Sequence, residues 1–523
     1  MQKTASASIV WLGPTIIEHS VSEGFLGEIQ RIRLEKYGFL GFAVVFLLLI
    51  CAFARGEESA MPSSRISENR MQQYSNLAVT WMQQYLRIDT TNPPGNEMKA
   101  VSFYKKILDE EGIENRTFEI APGRGDLWAR LPAANDGQNP HVSQNQGDMG
   151  HPRPIVLLNH MDVVTSDASH WRVPPFSGEI RDGYIWGRGA QDMKDEGLAQ
   201  LLVMVMLKRE KVALNRDVIF LAVADEEAGG TGTDWFIKNQ RELLGNAEFL
   251  INEGGENLLE NGKVKYVGVD VGEKTSYWLH VVAHGKPGHA SRPNPDSAPN
   301  RLVRALDRIN AYQTPLRVLP VVEEFLRDMA PYEPPDRAVY YRNIRKAIED
   351  KKFDEQVERD ESLNFLLRDT ISLTMLGGSE QTNVIPAEAW ANLDVRILPG
   401  GDPQGVAETL RKLVNDPNVT IEPLEPEFRI ANYSGTDNAL FAAIREVSGK
   451  YFPGTPVVPH ITSGYTENQR YRPLGIVAYG FNPYAATEEE GNTEHGNDER
   501  IRVEEVRRGP KILFDVVARV AAE

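Results

Sequence analysis

A chain of 523 residues, 41% hydrophobic and 25% charged, is too long for one ordinary domain and has ample material for packed cores. Lys plus Arg number 57 against 74 Asp plus Glu, and a net charge of −17 argues against a general binder of nucleic acid or anionic membranes. Cys51 is the single cysteine, which excludes an intrachain disulfide, a thiolate zinc cluster and a redox pair, so any bound metal must be held by His and carboxylates.

The chain opens with an N-terminal extension, 1–36. Residues 37–54 follow, 18 residues without a charge, preceded by Arg31, Arg33 and Lys36 and ending in Ala52-Phe53-Ala54. A basic flank, an apolar stretch and a small-residue cleavage pattern describe a secretory signal. The same length also suffices for an uncleaved membrane anchor. Either reading exports the bulk of the chain, to a periplasmic or extracellular location. Residues 1–54 hold four basic and four acidic residues, so the charge of −17 belongs to the exported part. Cys51 lies inside the segment, and a cysteine-free mature protein suits an oxidising compartment.

A polar tether spans 59–70. Helical apolar spacing covers 75–87, Asn92-Pro93-Pro94-Gly95 is a turn, and 97–111 reads as a second helix. Strands are expected at 126–131 and 154–159, with an exposed loop at 134–152 between them. A helix at 196–209 and strands at 217–224 and 248–252 complete an alternation that implies an α/β domain with a mostly parallel sheet. The pattern then changes. A half-exposed strand at 276–283 is followed by a helix at 297–312, strands at 372–376 and 389–397, a helix at 406–414 and a strand at 419–422. This β-α-β-β-α-β order resembles a ferredoxin-like α+β unit, carrying a charged helical insertion at 315–367. The βα pattern resumes with a helix at 437–447 and a strand at 476–481. The expected organisation is a larger domain in two parts, 65–273 and 429–523, interrupted by a smaller one, 274–428.

Several polar groups recur at strand ends, where open α/β sheets bind ligands. His160 ends an apolar strand, and Asp162 two residues on points the same way, placed to fix the imidazole tautomer. Asp192 follows the Gly187-Arg188-Gly189 loop just before a helix. It is either a helix cap or a carboxylate bridging two cations. Asp225-Glu226-Glu227 ends another strand, and three buried neighbouring acids need a cation or a proton to coexist. Glu253 repeats the form before Gly254-Gly255, and His495 lies in a late polar loop. Each alone reads as well as a solvated surface or a turn. Together, two His, one Asp and two Glu make a set for two divalent metals, zinc first, with manganese or cobalt as alternatives.

These motifs carry a family resemblance over roughly residues 70–520. The ordered set H-x-D, G-R-G-x-x-D-x-K, D-E-E-x-G-G, N-E-G-G and H-G resembles the M20 metallopeptidases and amidohydrolases, which include glutamate carboxypeptidases, aminoacylases and succinyl-diaminopimelate desuccinylases. The resemblance implies that His160 and Glu253 hold one metal, Glu227 and His495 the other, and Asp192 bridges. It makes Glu226 the general base for a metal-bridging hydroxide and Asp162 the acid that orients His160. The smaller unit would be a lid and dimerisation domain. His289, in Gly285-Lys286-Pro287-Gly288-His289-Ala290-Ser291, matches a lid histidine that stabilises the oxyanion, in some members across a homodimer. Asn383 and Arg396 match lid residues that grip the substrate, and the fork of Arg suits a carboxylate. Without the resemblance these three read as a loop histidine, a turn asparagine and a surface salt bridge.

The sequence also departs from the family. Asp195 stands where many relatives have Gly, and Ser463-Gly464-Tyr465-Thr466-Glu467 where many have Gly-x-x-Asp. The long insertion and export signal resemble the secreted branch that cleaves N-fatty-acyl amino acids. The expected activity is hydrolysis of a peptide or N-acyl bond adjacent to a free carboxylate. The competing readings are an inactive extracellular protein that captures peptide or metal, and an aminopeptidase with a similar two-metal site. A complete ligand set argues against the first. Arg396 argues against the second, since a free amine calls for an acidic partner.

Overall fold

The structure is a computed structural model that describes residues 60–134, 152–425, 430–462 and 464–522. The apolar segment 37–54 and most of the expected loop at 134–152 lie outside the described residues. Among the described residues, no helix is long and apolar enough to cross a membrane.

The first part of the chain supplies β1 (Glu114–Ala121), β2 (Arg124–Leu131), β3 (Ile155–His160), β4 (Glu179–Arg181), β5 (Tyr184–Trp186), β6 (Val218–Val223), β7 (Phe249–Asn252), β8 (Asn257–Glu260) and β9 (Lys263–Glu273). The middle supplies β10 (Thr275–His284), β11 (Gly288–His289), β12 (Thr370–Gly377), β13 (Val384–Ile385), β14 (Glu388–Ile397) and β15 (Val419–Pro423). The last part adds β16 (Val457–Thr462), β17 (Val477–Gly480) and β18 (Arg500–Arg502).

The large sheet runs β1-β2-β6-β3-β7-β17-β9-β16, with β8 paired to β9. It is mixed, which corrects the expectation of a mostly parallel sheet. The strands β6, β3, β7 and β17 are parallel, as is the pair β9–β16. The pairs β1–β2, β2–β6, β8–β9 and β9–β17 are antiparallel. The physical reason lies in the connections. Pro122-Gly123 and Asn261-Gly262 join their strands by two residues, too few for the crossover a parallel pair needs. Both Asn261 and Gly262 have positive φ, 52° and 77°, the backbone that a two-residue hairpin requires.

The central strands read as unbroken apolar runs because both faces are covered. In β3, Ile155 and Leu157 join one cluster while Val156 and Leu158 join another. Val218, Phe220 and Ala222 of β6 repeat the split against Ile219, Leu221 and Val223. The helix Lys194–Arg209 is buried from Lys194 through Leu207 and packs on β3 and β6, between the helices Glu68–Leu86 and Val503–Ala521. Val503–Ala521 was not anticipated, since Pro510 lies inside it. A proline usually ends a helix.

The middle segment forms a four-stranded antiparallel sheet, β12-β14-β10-β15. The helices Ala298–Asn310 and Pro403–Val414 cover one face, with Leu279, Val281, Leu393 and Val395 in its core. The other face leaves Trp278 and Met375 exposed. The helical insertion behaves differently from this sheet. Val321, Val322 and Leu326 of the helix Pro320–Met329 pack with Val458 and Ile461 of β16, in the core of the large sheet.

Candidate metal centre

The parallel strands deliver their carboxyl ends to one place. His160 is the last residue of β3, and Glu253 follows β7 directly. His160 Nε2 lies 3.0 Å from Asp192 Oδ1 and 3.2 Å from Glu253 Oε2. His495 Nε2 lies 2.7 Å from the other Asp192 oxygen and 3.3 Å from Glu227 Oε2. Asp192 therefore stands between the two imidazoles, one oxygen on each. Donor atoms of His160, Glu226 and Glu253 lie within 4.8 Å of one another, as do those of His160, Asp192 and Glu227. The structure thus brings together all five expected ligands and Glu226.

The loop after β6 shows how local sequence sets the centre. Asp225 has φ 72°, a turn that aspartate tolerates, and its Oδ2 accepts the Thr231 N–H and hydroxyl. Its Oδ1 is 2.8 Å from Arg124 and accepts from Asn92. Burial would raise the Asp225 pKa, but the Thr231 and Asn92 hydrogen bonds and the Arg124 charge hold it below the ordinary value. So only Glu226 and Glu227 of the three adjacent acids face the centre, which relieves the repulsion the sequence implied.

Asp162 acts differently from the expectation. His160 Nδ1 meets the Asp162 backbone carbonyl at 3.1 Å, while the nearer carboxylate oxygen is 3.6 Å away. The carboxylate instead accepts the backbone N–H groups of Glu226 and Glu227 at 3.1 and 3.2 Å. Asn92 Nδ2 donates to it at 2.8 Å. Asp162 orients the ring through its backbone and fixes the 226–227 loop through its side chain. The role of Asn92 was hidden in the sequence, where it read as a turn residue. Glu494 was also missed. It shares a donor cluster with Asp192 and His495, and its only sequence signal is adjacency to His495.

The electrostatics favour a bound cation. Burial, then the Glu253 charge, hold Glu226 well above an ordinary glutamate. Burial pushes Glu253 up to about 7 and Glu494 up to about 8. Hydrogen bonds to Asp192 and Glu227 push His495 up to about 10. The buried Oε1 atoms of Glu227 and Glu253 have no hydrogen-bond partner among the described residues. Buried acceptors without donors are costly, and a metal ion satisfies them. The imidazole–carboxylate set fits two divalent cations.

A cavity of about 360 Å³ opens over this cluster, lined by Asp192, Glu226, Thr462, Tyr465, Asn482 and His495 among others. His289, Asn383 and Arg396 do not line it. His289 and Asn383 come together instead. β11 pairs with β13, Ala290 N–H donates to the Asn383 carbonyl, and His289 Nδ1 accepts from Ser291 N–H at 3.2 Å. Both residues are exposed. Arg396, on β14, donates to Asp394 through two nitrogens at 2.7 and 3.0 Å and to Ser276 Oγ at 2.7 Å.

A model of peptidase family M20/M25/M40 matches residues 156–519. The human N-fatty-acyl-amino acid synthase/hydrolase PM20D1 is 28% identical over 385 residues, 72% of this chain and 76% of that protein. Aminoacylase-1A of Rattus norvegicus is 27% identical over 455 residues, 85% of this chain and 95% of that protein. The fold is similar to that of the M20 family metallo-carboxypeptidase Sso-CP2 from Sulfolobus solfataricus, with a TM-score of 0.61 at 20% identity, over 84% of this chain and 98% of that one. With the family model spanning most of the chain and its motif residues converging on one cluster, the chain belongs to peptidase family M20/M25/M40.

Proposed function

We propose that the protein is an exported two-metal hydrolase that cleaves the amide bond of N-acyl amino acids next to a free carboxylate. The observation that carries this reading is the pair of imidazoles sharing Asp192, with unpartnered buried oxygens on Glu227 and Glu253. The named activities of the two relatives, an aminoacylase and an N-fatty-acyl-amino acid synthase/hydrolase, favour acyl amino acids over peptides. His160, Glu253 and Asp192 would hold one divalent ion, and Glu227, His495 and Asp192 a second, with zinc as the first choice. When bound, such ions polarise a carbonyl and make water acidic.

The chain's own groups do the rest. Glu226 takes the proton of the attacking water and delivers it to the leaving nitrogen, and its donor atoms lie within 4.8 Å of those of His160 and Glu253. His289 donates a hydrogen bond to the oxyanion, and Asn383 and Arg396 hold the substrate carboxylate. His289, Asn383 and Arg396 lie outside the cavity, so this role requires the segment carrying β10 to β15 to close over it or a second copy of the chain to present them. A homodimer through the four-stranded sheet meets the second requirement. The test is hydrolysis of short-acyl and long-acyl amino acids, dipeptides, and amino- or carboxyl-blocked analogues, with zinc and with a chelator. Turnover of free-carboxylate substrates is expected, lost on chelation and restored by zinc. Equal turnover of carboxyl-blocked analogues sinks the proposal.

A further inference from the structure

The two sides of the centre are spaced by different means. His160 and Glu253 sit at the ends of β3 and β7, which are paired neighbours, so the sheet sets their separation. Asp192 and His495 come from two loops, 187–192 and 492–499, that lie outside the large sheet.

A buried ion pair joins those loops. Arg188 is 2% exposed and Glu499 is 0% exposed. Arg188 Nη1 donates to Glu499 Oε2 at 2.6 Å. Nη2 donates at 2.7 Å to the carbonyl of Gly496, the residue after His495. The guanidinium also lies over the Trp171 ring, 5.2 Å from its centroid. The Glu499 carboxylate turns back to the first loop. It accepts the Gly189 N–H at 3.0 Å and the Gln191 N–H, next to Asp192, at 2.7 Å. The Gln191 side chain returns the contact, donating to the Glu490 carbonyl at 2.8 Å and to Thr493 Oγ1 at 2.9 Å. Each loop is thus gripped within one residue of its ligand.

A fully buried Arg–carboxylate pair is a weak source of stability, because desolvating two charges offsets most of their attraction. Its value here is geometric. Arg presents a planar fork, and one carboxylate can accept several donors at fixed angles. We infer that Arg188 and Glu499 are positioning residues for the metal ion held by Asp192, Glu227 and His495, setting the spacing of the two loops that carry Asp192 and His495. The inference rests on the two-metal reading.

Zinc titration calorimetry and elemental analysis of chelator-stripped protein test it, using the wild type, Glu499→Gln and Arg188→Lys, with circular dichroism to verify folding. The wild type takes up two equivalents. Glu499→Gln binds the equivalent held by His495 about 10–100-fold more weakly, the range seen when groups supporting metal ligands are removed, and weakens the other, which shares only Asp192 with the clamped loops, by less. Arg188→Lys, which keeps the charge but loses the fork, weakens the same equivalent by less. If Glu499→Gln does not fold, Arg188→Lys decides on the same criterion. Folded variants that bind both equivalents as the wild type does, or lose both equally, overturn the inference while leaving the two-metal reading intact. A wild type that binds no zinc overturns that reading itself.

Discussion

The two halves of the centre differ in burial and in support. The His160 side chain is 0% exposed and that of Glu253 is 14% exposed, each at the end of a central strand. The His495 side chain is 54% exposed, on a loop tied down by Arg188 and Glu499. One half takes both its residues from paired strand ends, whereas in the other Glu227 follows β6 and only His495 depends on side-chain clamps. A ligand at a buried strand end is held by the same forces that hold the core, whereas a ligand on a loop needs its own supports.

The largest expected effect leaves both halves in place. Glu226→Gln should lower turnover about 10²–10⁴-fold while two metal equivalents still bind, as measured by steady-state kinetics and elemental analysis. A variant that keeps most activity would remove Glu226 as the base. The next effect tests the comparison directly, on metal-free protein. His160→Ala removes the partner of the buried Glu253 and Asp192 and should cost about 3–5 kcal/mol by urea unfolding. His495→Ala, more than half exposed, should cost about 0–1 kcal/mol. Equal losses would erase the distinction between the halves.

A pH-dependent effect concerns Asp126, which holds the chain just before the Glu226–Glu227 loop. Asp126 is buried, and its Oδ1 accepts the N–H of Ala224 at 3.0 Å. Burial pushes its pKa up to about 7. The folded state therefore keeps this proton after the unfolded chain has released it. Stability is lost as pH rises from about 4 to about 7. Asp126→Asn, which carries no charge, should gain about 1–3 kcal/mol over the wild type at pH 8 and almost nothing at pH 4, read from melts at the two pH values. A gain that does not change with pH would exclude the ionised carboxylate as the cause.

The candidate ligands were legible because chemistry limits the choice of residue. With one cysteine in the chain, a metal could only be held by His and carboxylates. Apolar runs ending in His160, Asp225-Glu226-Glu227 and Glu253 marked where strands would deliver them. Less local features stayed hidden. Asn92 lies 70 residues from Asp162, and no spacing rule links them. Glu499 lies 311 residues from Arg188 and looked like one more acid in a polar loop. The C-terminal helix was masked by Pro510, because propensity is outweighed when a helix packs along most of its length. The sheet was read as mostly parallel because β1, β8 and β9 were not foreseen, and those strands bring the antiparallel edges.

Sequence by itself singled out the candidate side chains and placed His160, Asp225-Glu226-Glu227 and Glu253 where strands end. Residue type and period-2 or period-3.6 patterning are local properties, written in a few consecutive positions. Only the tertiary structure decided that Asp225 turns away to Arg124 while its two neighbours face the centre. It also decided that the Asp162 carboxylate holds the 226–227 loop while its backbone carbonyl meets the ring of His160, and that Asn383 and Arg396 stand apart from the cavity. Those outcomes depend on donors and charges that meet only when distant segments pack, and they follow from satisfying buried polar groups rather than from any local preference.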